Sequence, residues 1–431
     1  RYDSIIEINS SAKTITVESG ALMRDVIEEA AKAGLALTTL TSWDGVSAGG
    51  SISTGAHGSG FLGKGSVIDS YVVGMRLVVP ASASEGYAKV VQLTEADHDL
   101  KAARLSLGTL GVISQITFSL EPMFKRSISI NLEDDDGLEN QLESFWNLHE
   151  FGKIYWYVAN RKVLMERVDR ITVDVPGDGI NKAAYQPTTV LVAEQNALNY
   201  ERIERERDAD ALCNMTATSM NNRAANGDGY LNDRISFTGN PVVGLNHLMQ
   251  STGGCQVYNR KQENDSACMP DEIVGKNKSI CEWDRRVRGT LVYDVELRVP
   301  LSRARDAVLD IKRLRDLNPQ TMCGLDRSGI LIRGVTKSNA YLGPVDDLVT
   351  FEISYHRSRQ AFTPVWNMDV YQEIEQMLIE KHGGSLHWGK SGGHLFEGLA
   401  RKTVNLQRFL GVKKRFDPQG LFSNDWIERL L

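Results

Sequence analysis

Between Gly45 and Gly65 the chain reads GVSAGGSISTGAHGSGFLGKG, and no other stretch constrains the fold so strongly. Glycine loses the most backbone freedom on ordering, so a run this dense is not expected to be helical. It is backbone to be placed against something. Gly45, Gly49, Gly50, Gly55, Gly58 and Gly60, with Ser47, Ser51, Ser53, Thr54 and Ser59 among them, offer N–H groups and hydroxyls without obstruction, as a pyrophosphate or polar heterocycle requires. A crossover that lets two strands approach closely needs the same residues, and the run alone does not decide between the two. It is not a P-loop, since no GK[ST] follows at the required spacing, and it is not a G-x-G-x-x-G after a strand.

The flanks place the run in an α+β unit. Residues Ile5 to Glu18 alternate polar and apolar as two strands joined by NSSAK, and Arg24 to Gly34 carries one apolar stripe, as a short helix does. Asp69 to Val79 and Leu105 to Leu120 return to strand patterning. After Pro122 long charged segments begin, among them EDDDGLENQLESFW and NYERIERERDADALC, the second expected as a solvated helix from its i,i+4 pairs. Strand patterns at Lys153 to Val158, Thr290 to Val299 and Val349 to Tyr355 alternate with helical ones at Ser302 to Leu317 and Val370 to Lys381. The expected division is residues 1–122, 123–385 and a Gly- and aromatic-rich segment, 386–431.

Composition excludes two classes of partner. A net charge of -6 over 431 residues supplies no basic field for nucleic acid, and no stretch nears the roughly 20 apolar residues that span a bilayer. The chain starts in mid-strand pattern without Met, so an upstream segment is expected. Cys213, Cys255, Cys268, Cys281 and Cys323 form no CxxC pair, so no metal site is expected. Sequons at Asn9, Asn214, Asn264 and Asn277, two of them in the cysteine-bearing stretch, fit a secreted or vacuolar, glycosylated chain with one or two disulfides.

The segments SAGGSISTGAHGSG, SLGTLGVISQITFSLEP, CGL (323–325), HWGK (387–390) and FDPQGLFSNDW resemble, in order and along the whole chain, the plant L-gulonolactone-oxidase-like proteins. These belong to the aldonolactone and alditol oxidase branch of the vanillyl-alcohol-oxidase superfamily. The resemblance implies an α+β fold: an FAD-binding domain, an α+β cap and a C-terminal segment that returns to the flavin site. It implies FAD as cofactor and hydride removal from an alcohol or lactone CH–OH group to flavin N5, with a small-molecule substrate and O₂ as acceptor.

Carried over, Ser42, Ser47, Gly50, Thr54, Gly55, Ala56, His57 and Ile113 contact FAD, and His387 and Lys390 of HWGK complete its polar edge. Lys390, His387 and Asp326 are the catalytic candidates. Thr41, Ser42, Asp326 and His356 are the substrate candidates, with Trp43 and Asp44 at the pocket mouth. Three departures are expected to matter. The family's first flavin loop would precede Arg1, so a separate N-terminal segment would complete the cradle. The family's Glu-x-Arg becomes Asp326, Arg327, Ser328, which in a strand turns the arginine to the opposite face. Thr41 stands where relatives control dioxygen access, which leaves a dehydrogenase open. Also open are a relative acting on an alkaloid, phenolic or terpenoid, redox or not, and a flavin-less secreted protein.

Overall fold

The computed structural model describes residues 2–39, 46–175, 190–226, 231–232, 235–236, 243–245, 255–256, 280–281, 291–325, 329–358, 362–390 and 402–431. Two antiparallel sheets organise them. The first contains β1 (Ile5–Asn9), β2 (Thr14–Glu18), β3 (Val72–Pro80), β4 (Ala88–Thr94) and β5 (Val112–Ser119), in the order β1-β2-β5-β3-β4. In β2 the alternation T-I-T-V-E buries Ile15 and Val17 and leaves the polar residues partly exposed. The Asn9 side chain closes the β1–β2 turn by accepting from the Ser11 hydroxyl at 2.8 Å and the Ala12 N–H at 2.9 Å. Helix α1 (Met23–Lys32) then packs Met23, Val26, Ile27 and Ala30 into the core.

The glycine run does contain a helix, against expectation: α2 spans Ala48–Ser53. Its first donors are satisfied from outside, which offsets the low propensity. Ala48 N–H donates to Ala21 O at 2.8 Å, Gly49 N–H to Ser19 O at 2.7 Å and Gly50 N–H to the Ser47 hydroxyl at 3.2 Å. Gly49 serves proximity rather than flexibility, since a Cβ there would lie 3.0 Å from both Ser19 Cβ and Ser19 O. Two other boundaries move. The segment beginning at Asp69 opens with a 3₁₀ turn, Ile68–Tyr71, and the later strand starts only at Val112.

The second sheet contains β6 (Lys125–Asp134), β7 (Lys153–Tyr157), β8 (Lys162–Ile171), β9 (Val243–Leu245), β10 (Leu291–Pro300), β11 (Ile330–Val335), β12 (Leu348–Arg357) and β13 (Ser385–Leu386). Its order is β9-β6-β8-β7-β11-β12-β10-β13. Helix α3 (Leu138–Leu148) brings Trp146 against Gly334 of β11, where a Cβ would come within 2.7 Å of the indole. The charged stretch near residue 200 forms two helices, α4 (Val190–Glu206) and α5 (Ala209–Asn226), broken at Arg207, whose φ is 54°. The expected i,i+4 pair is present as Arg202–Glu206 at 2.7 Å. The face is not simply solvated, because Glu201 and Glu204 are buried.

A disulfide ties Cys213 of α5 to Cys323, 110 residues on. Helix α6 (Leu301–Leu317) follows β10, and α7 (Met368–Gln376) precedes β13. Helix α8 (Leu406–Phe416) buries Leu406, Phe409, Val412 and Phe416 and pairs Arg415 with Asp99 at 2.5 Å. One apolar core runs through both sheets, from Ile15 to Leu430. No described helix is long and apolar enough to cross a membrane.

Candidate active site

Three neighbouring strands carry charge on one face. Alternate strand residues share a side. The register sets Asp294 opposite Ser354, Glu296 opposite Glu352, and Arg298 and Arg333 on either side of Thr350. The other face holds Val295, Leu297, Phe351 and Ile332, all buried. An amphipathic strand ordinarily turns its charges to water. Here Glu296 and Thr350 are 0% exposed and Arg298 and Arg333 only 5–6%, because the end of the glycine run and the HWGK segment lie over them.

The charges are joined in a chain. The His57 Nε2 meets Glu296 Oε1 at 2.7 Å, and Arg333 donates to Glu296 Oε2 at 2.7 Å and to Glu352 Oε2 at 2.6 Å. Lys390 donates to Glu352 Oε1 at 2.9 Å and to Asp294, whose other oxygen accepts from the Ser354 hydroxyl at 2.6 Å. The second nitrogen of His57 faces Gly58 O at 2.8 Å. Both its nitrogens thus face acceptors, so both carry protons and the ring is a cation. The ring of His387, 5.3 Å away, is in the opposite state. Its Nε2–H donates to Gly55 O at 2.9 Å and its Nδ1 accepts from Gly389 N–H at 3.0 Å, which fixes the neutral form.

Energetics follow the same partners. Burial pushes against the charge on Glu296, but His57 and Arg333 outweigh it and hold the carboxyl well below the usual carboxylate range. Burial holds His387 well below an ordinary histidine. On Lys390 burial is overcome by Glu352 and Asp294, which hold the ammonium above its usual value. Asp294 is pushed up by burial and by Glu352, with Lys390 opposing. His57, Glu296 and His387 bring ligand atoms within 4.8 Å of one another, and hydrogen bonds already occupy those atoms.

Of the residues anticipated from sequence, Ser47 caps α2, Gly50 lies exposed beside it, and the Thr54 hydroxyl donates to Gly50 O at 3.0 Å. Gly55 adopts φ 74° and receives His387, Ala56 O accepts from Ile68 N–H, and Ile113 pairs with Leu77 across β5 and β3. Lys390 and His387 join His57 over the charged sheet. Thr41, Ser42, Trp43, Asp44 and Asp326 lie outside the described residues, as does the side chain of His356, whose backbone pairs with Val292. Sequence reasoning missed Asp294, Glu296, Arg298, Arg333 and Glu352. The signal was present in D-V-E-L-R-V, T-F-E-I-S and the lone arginine of I-L-I-R-G-V.

These residues fit a flavin. Helix α2 buries Ala48, Gly49, Ser51, Ile52 and Ser53 and leaves Ser47, Gly50 and Thr54 outward, a face with no side chain longer than a hydroxyl. A Cβ on Gly50 would begin to fill it, 2.9 Å from the Ser47 hydroxyl. Beyond it, among the described residues, stand four cations, His57, Arg298, Arg333 and Lys390, against three carboxylates, a surplus suited to an electron-rich ring.

Comparison with known proteins agrees. The FAD binding domain family matches residues 1–83, and the D-arabinono-1,4-lactone oxidase family matches residues 253–430. Cholesterol oxidase from Brevibacterium sterolicum superposes with a TM-score of 0.68 at 12% identity, over 100% of this chain and 83% of that one. For 6-hydroxy-D-nicotine oxidase from Arthrobacter nicotinovorans the TM-score is 0.54 at 12% identity, over 97% and 79%. Fold and domain match define an FAD-dependent oxidoreductase with the vanillyl-alcohol-oxidase type of fold. L-gulonolactone oxidase 3 of Arabidopsis thaliana is 38% identical over 437 residues, covering 100% of this chain and 72% of the relative. L-gulonolactone oxidase 2 of the same plant is 38% identical over 432 residues, 99% and 70%. The bovine L-gulonolactone oxidase is 20% identical over 100% and 84%. The chain belongs to the plant L-gulonolactone oxidase family.

Proposed function

We propose that this protein oxidises the CH–OH group of an aldonolactone, with L-gulono-1,4-lactone the first substrate to test, and passes the electrons to dioxygen. The observation that carries the reading is the buried chain from His57 through Glu296, Arg333 and Glu352 to Lys390, lying beneath a glycine run open to a flavin. Ser47, Gly50, Thr54, Gly55, Ala56 and His57 would hold FAD along the run, with Ser42 and Ile113 beside them and His387 and Lys390 at its polar edge. Bound FAD supplies the hydride acceptor. Lys390, fixed between two carboxylates, supplies positive charge where negative charge develops. His387 positions the run through Gly55 and has no lone pair to spare for a proton. Thr41, Ser42, Asp326 and His356 complete the proposed substrate pocket.

The test is oxygen uptake and peroxide formation by the FAD-loaded chain offered L-gulono-1,4-lactone, with bulky apolar alcohols in parallel. Turnover of the lactone supports the reading; a flavin-loaded protein that turns over only the apolar alcohols refutes it. An extracellular or vacuolar, glycosylated setting is part of the proposal, supported by the Cys213–Cys323 bridge and the sequons. Mass loss on deglycosylating the protein from plant tissue tests it, and an unmodified mass counts against it.

A further inference from the structure

We infer that Asp294 accepts the hydroxyl proton of the substrate, an assignment that rests on the CH–OH oxidation proposed above. In that reaction the C–H hydrogen leaves with its electron pair, which is the share of the flavin. The O–H bond breaks, its electron pair becomes the second bond of the carbonyl, and the proton must go to the protein.

Among the described residues of the site, few groups can take it. His57, Arg298, Arg333 and Lys390 are cations already. The one lone pair of His387 accepts from Gly389 N–H. Glu296 is sealed, with its two oxygens on His57 and Arg333, and Glu352 places one oxygen on Arg333 and the other on Lys390. Both oxygens of Asp294 also have donors, Lys390 and Ser354, but Asp294 differs in position. Along the charged face, side-chain exposure rises from 0% at Glu296 through 15% at Glu352 to 28% at Asp294, so Asp294 is the most accessible of the three carboxylates. Its neighbour Ser354 donates to it at 2.6 Å and keeps its own lone pairs, so a substrate hydroxyl can deliver its proton directly or through that serine.

Protonation there leaves no charge stranded, because Lys390 still holds Glu352 at 2.9 Å. The proton also stays inside the site as negative charge arrives with the hydride, which limits the net change in a buried space. Among the described residues, the groups facing Asp294 include Ser354 and Glu352 from β12 and Lys390 after β13, with Glu296 on its own strand and Arg333 on β11 one step further. Burial and Glu352 together raise the affinity of Asp294 for a proton, in the direction a general base needs.

The experiment compares FAD-loaded wild type, Asp294→Asn, Asp294→Glu and Ser354→Ala. Anaerobic flavin reduction by L-gulono-1,4-lactone is followed by stopped flow across pH, with infrared difference spectra of the same reduction. Asp294→Asn is expected to slow reduction by about 10²–10⁴-fold and to abolish the acid limb of the pH profile. Asp294→Glu should restore part of the rate with a displaced limb, which a merely structural residue would not do. Ser354→Ala is expected to slow reduction and shift the limb less. In wild type a protonated-carboxyl band should appear on reduction and be missing in Asp294→Asn. Reduction of Asp294→Asn within threefold of wild type, or persistence of its band, overturns the assignment alone. If Asp294→Asn does not fold, an unchanged limb in both Asp294→Glu and Ser354→Ala overturns it. A flavin-loaded wild type that the lactone does not reduce overturns the functional reading and the assignment with it.

Discussion

Replacing Glu296 by Gln isolates the electrostatic term that organises the site. The side chain is fully buried, with one oxygen 2.7 Å from His57 Nε2 and the other 2.7 Å from Arg333 Nη2. Glutamine keeps the shape and one acceptor but removes the charge, so the buried His57 cation loses its counterion. Arg333 keeps Glu352 at 2.6 Å, which limits the damage to one strand of the network. Breaking a buried pair by removing one partner costs about 3–5 kcal/mol, and the surviving Arg333–Glu352 contact places the expectation near the lower end, about 3 kcal/mol at pH 7. That is a large part of a total stability of roughly 5–15 kcal/mol.

Urea unfolding followed by tryptophan fluorescence reads this difference, since Trp156 lies two strands from Glu352 in the same sheet. The pH dependence supplies a second check. The folded carboxyl titrates well below its ordinary value of 4.5. Its stabilisation is therefore complete above that value and is lost as pH falls through the lower folded one. The gap between wild type and Glu296→Gln should close as the pH falls below 4.5 toward the lower folded value of the carboxyl. Adding His57→Gln to Glu296→Gln should cost at least about 1 kcal/mol less than the two single changes together predict. A gap smaller than about 1 kcal/mol at neutral pH, or one that does not close in acid, would refute the reasoning.

Gly60→Ala is expected to destabilise by about 2–5 kcal/mol, because φ is 121° and a Cβ would fall 1.9 Å from Glu150 O. Chemical denaturation checks it, and a loss below about 1 kcal/mol is inconsistent with that backbone path. Cys213→Ala paired with Cys323→Ala should cost about 2–5 kcal/mol, since the bridge closes a separation of 110 residues; in the unfolded wild type these two cysteines should react with a thiol reagent only after reduction. Burial pushes Glu375 in α7 from 4.5 up to about 7. The folded protein therefore holds that proton where the unfolded chain has released it, and the stabilising effect of the proton fades as pH rises through this window. Glu375→Gln should flatten the decline, and an identical pH slope in the variant would remove Glu375 as its cause.

Much of the fold was legible because strands and amphipathic helices write their period into the sequence. β1, β2, β7, β10 and β12 stand where alternation put them, and α1 and α6 follow their apolar stripes. Helix α2 was not legible. Its propensity is poor, and what stabilises it is tertiary: the carbonyls of Ser19 and Ala21 that receive its first N–H groups. The break between α4 and α5 at Arg207 was hidden for a related reason, since a positive φ at a non-glycine residue has no local sequence signature.

The site divided along the same line. His57, His387 and Lys390 sit in short motifs that a resemblance can carry, whereas Glu296, Arg333 and Glu352 sit in strands whose alternation is plain but ambiguous. Period 2 says that two faces differ and does not say which one meets water. What decides it is the glycine run. With His57 meeting Glu296 at 2.7 Å and a close approach of Gly60 N–H to Gly334 O at 2.9 Å, the end of that run lies on the sheet and excludes solvent from its charged side. The carboxylates then require cations, and Arg333, Lys390 and the doubly protonated His57 meet that requirement. Bulk added to the run should therefore act on the charges as well as the cofactor: by holding the run off the sheet, Gly60→Ala should admit water to Glu296 and lose the acid-dependent stability that Glu296→Gln loses. An acid profile unchanged in Gly60→Ala would separate the run from the charges it covers.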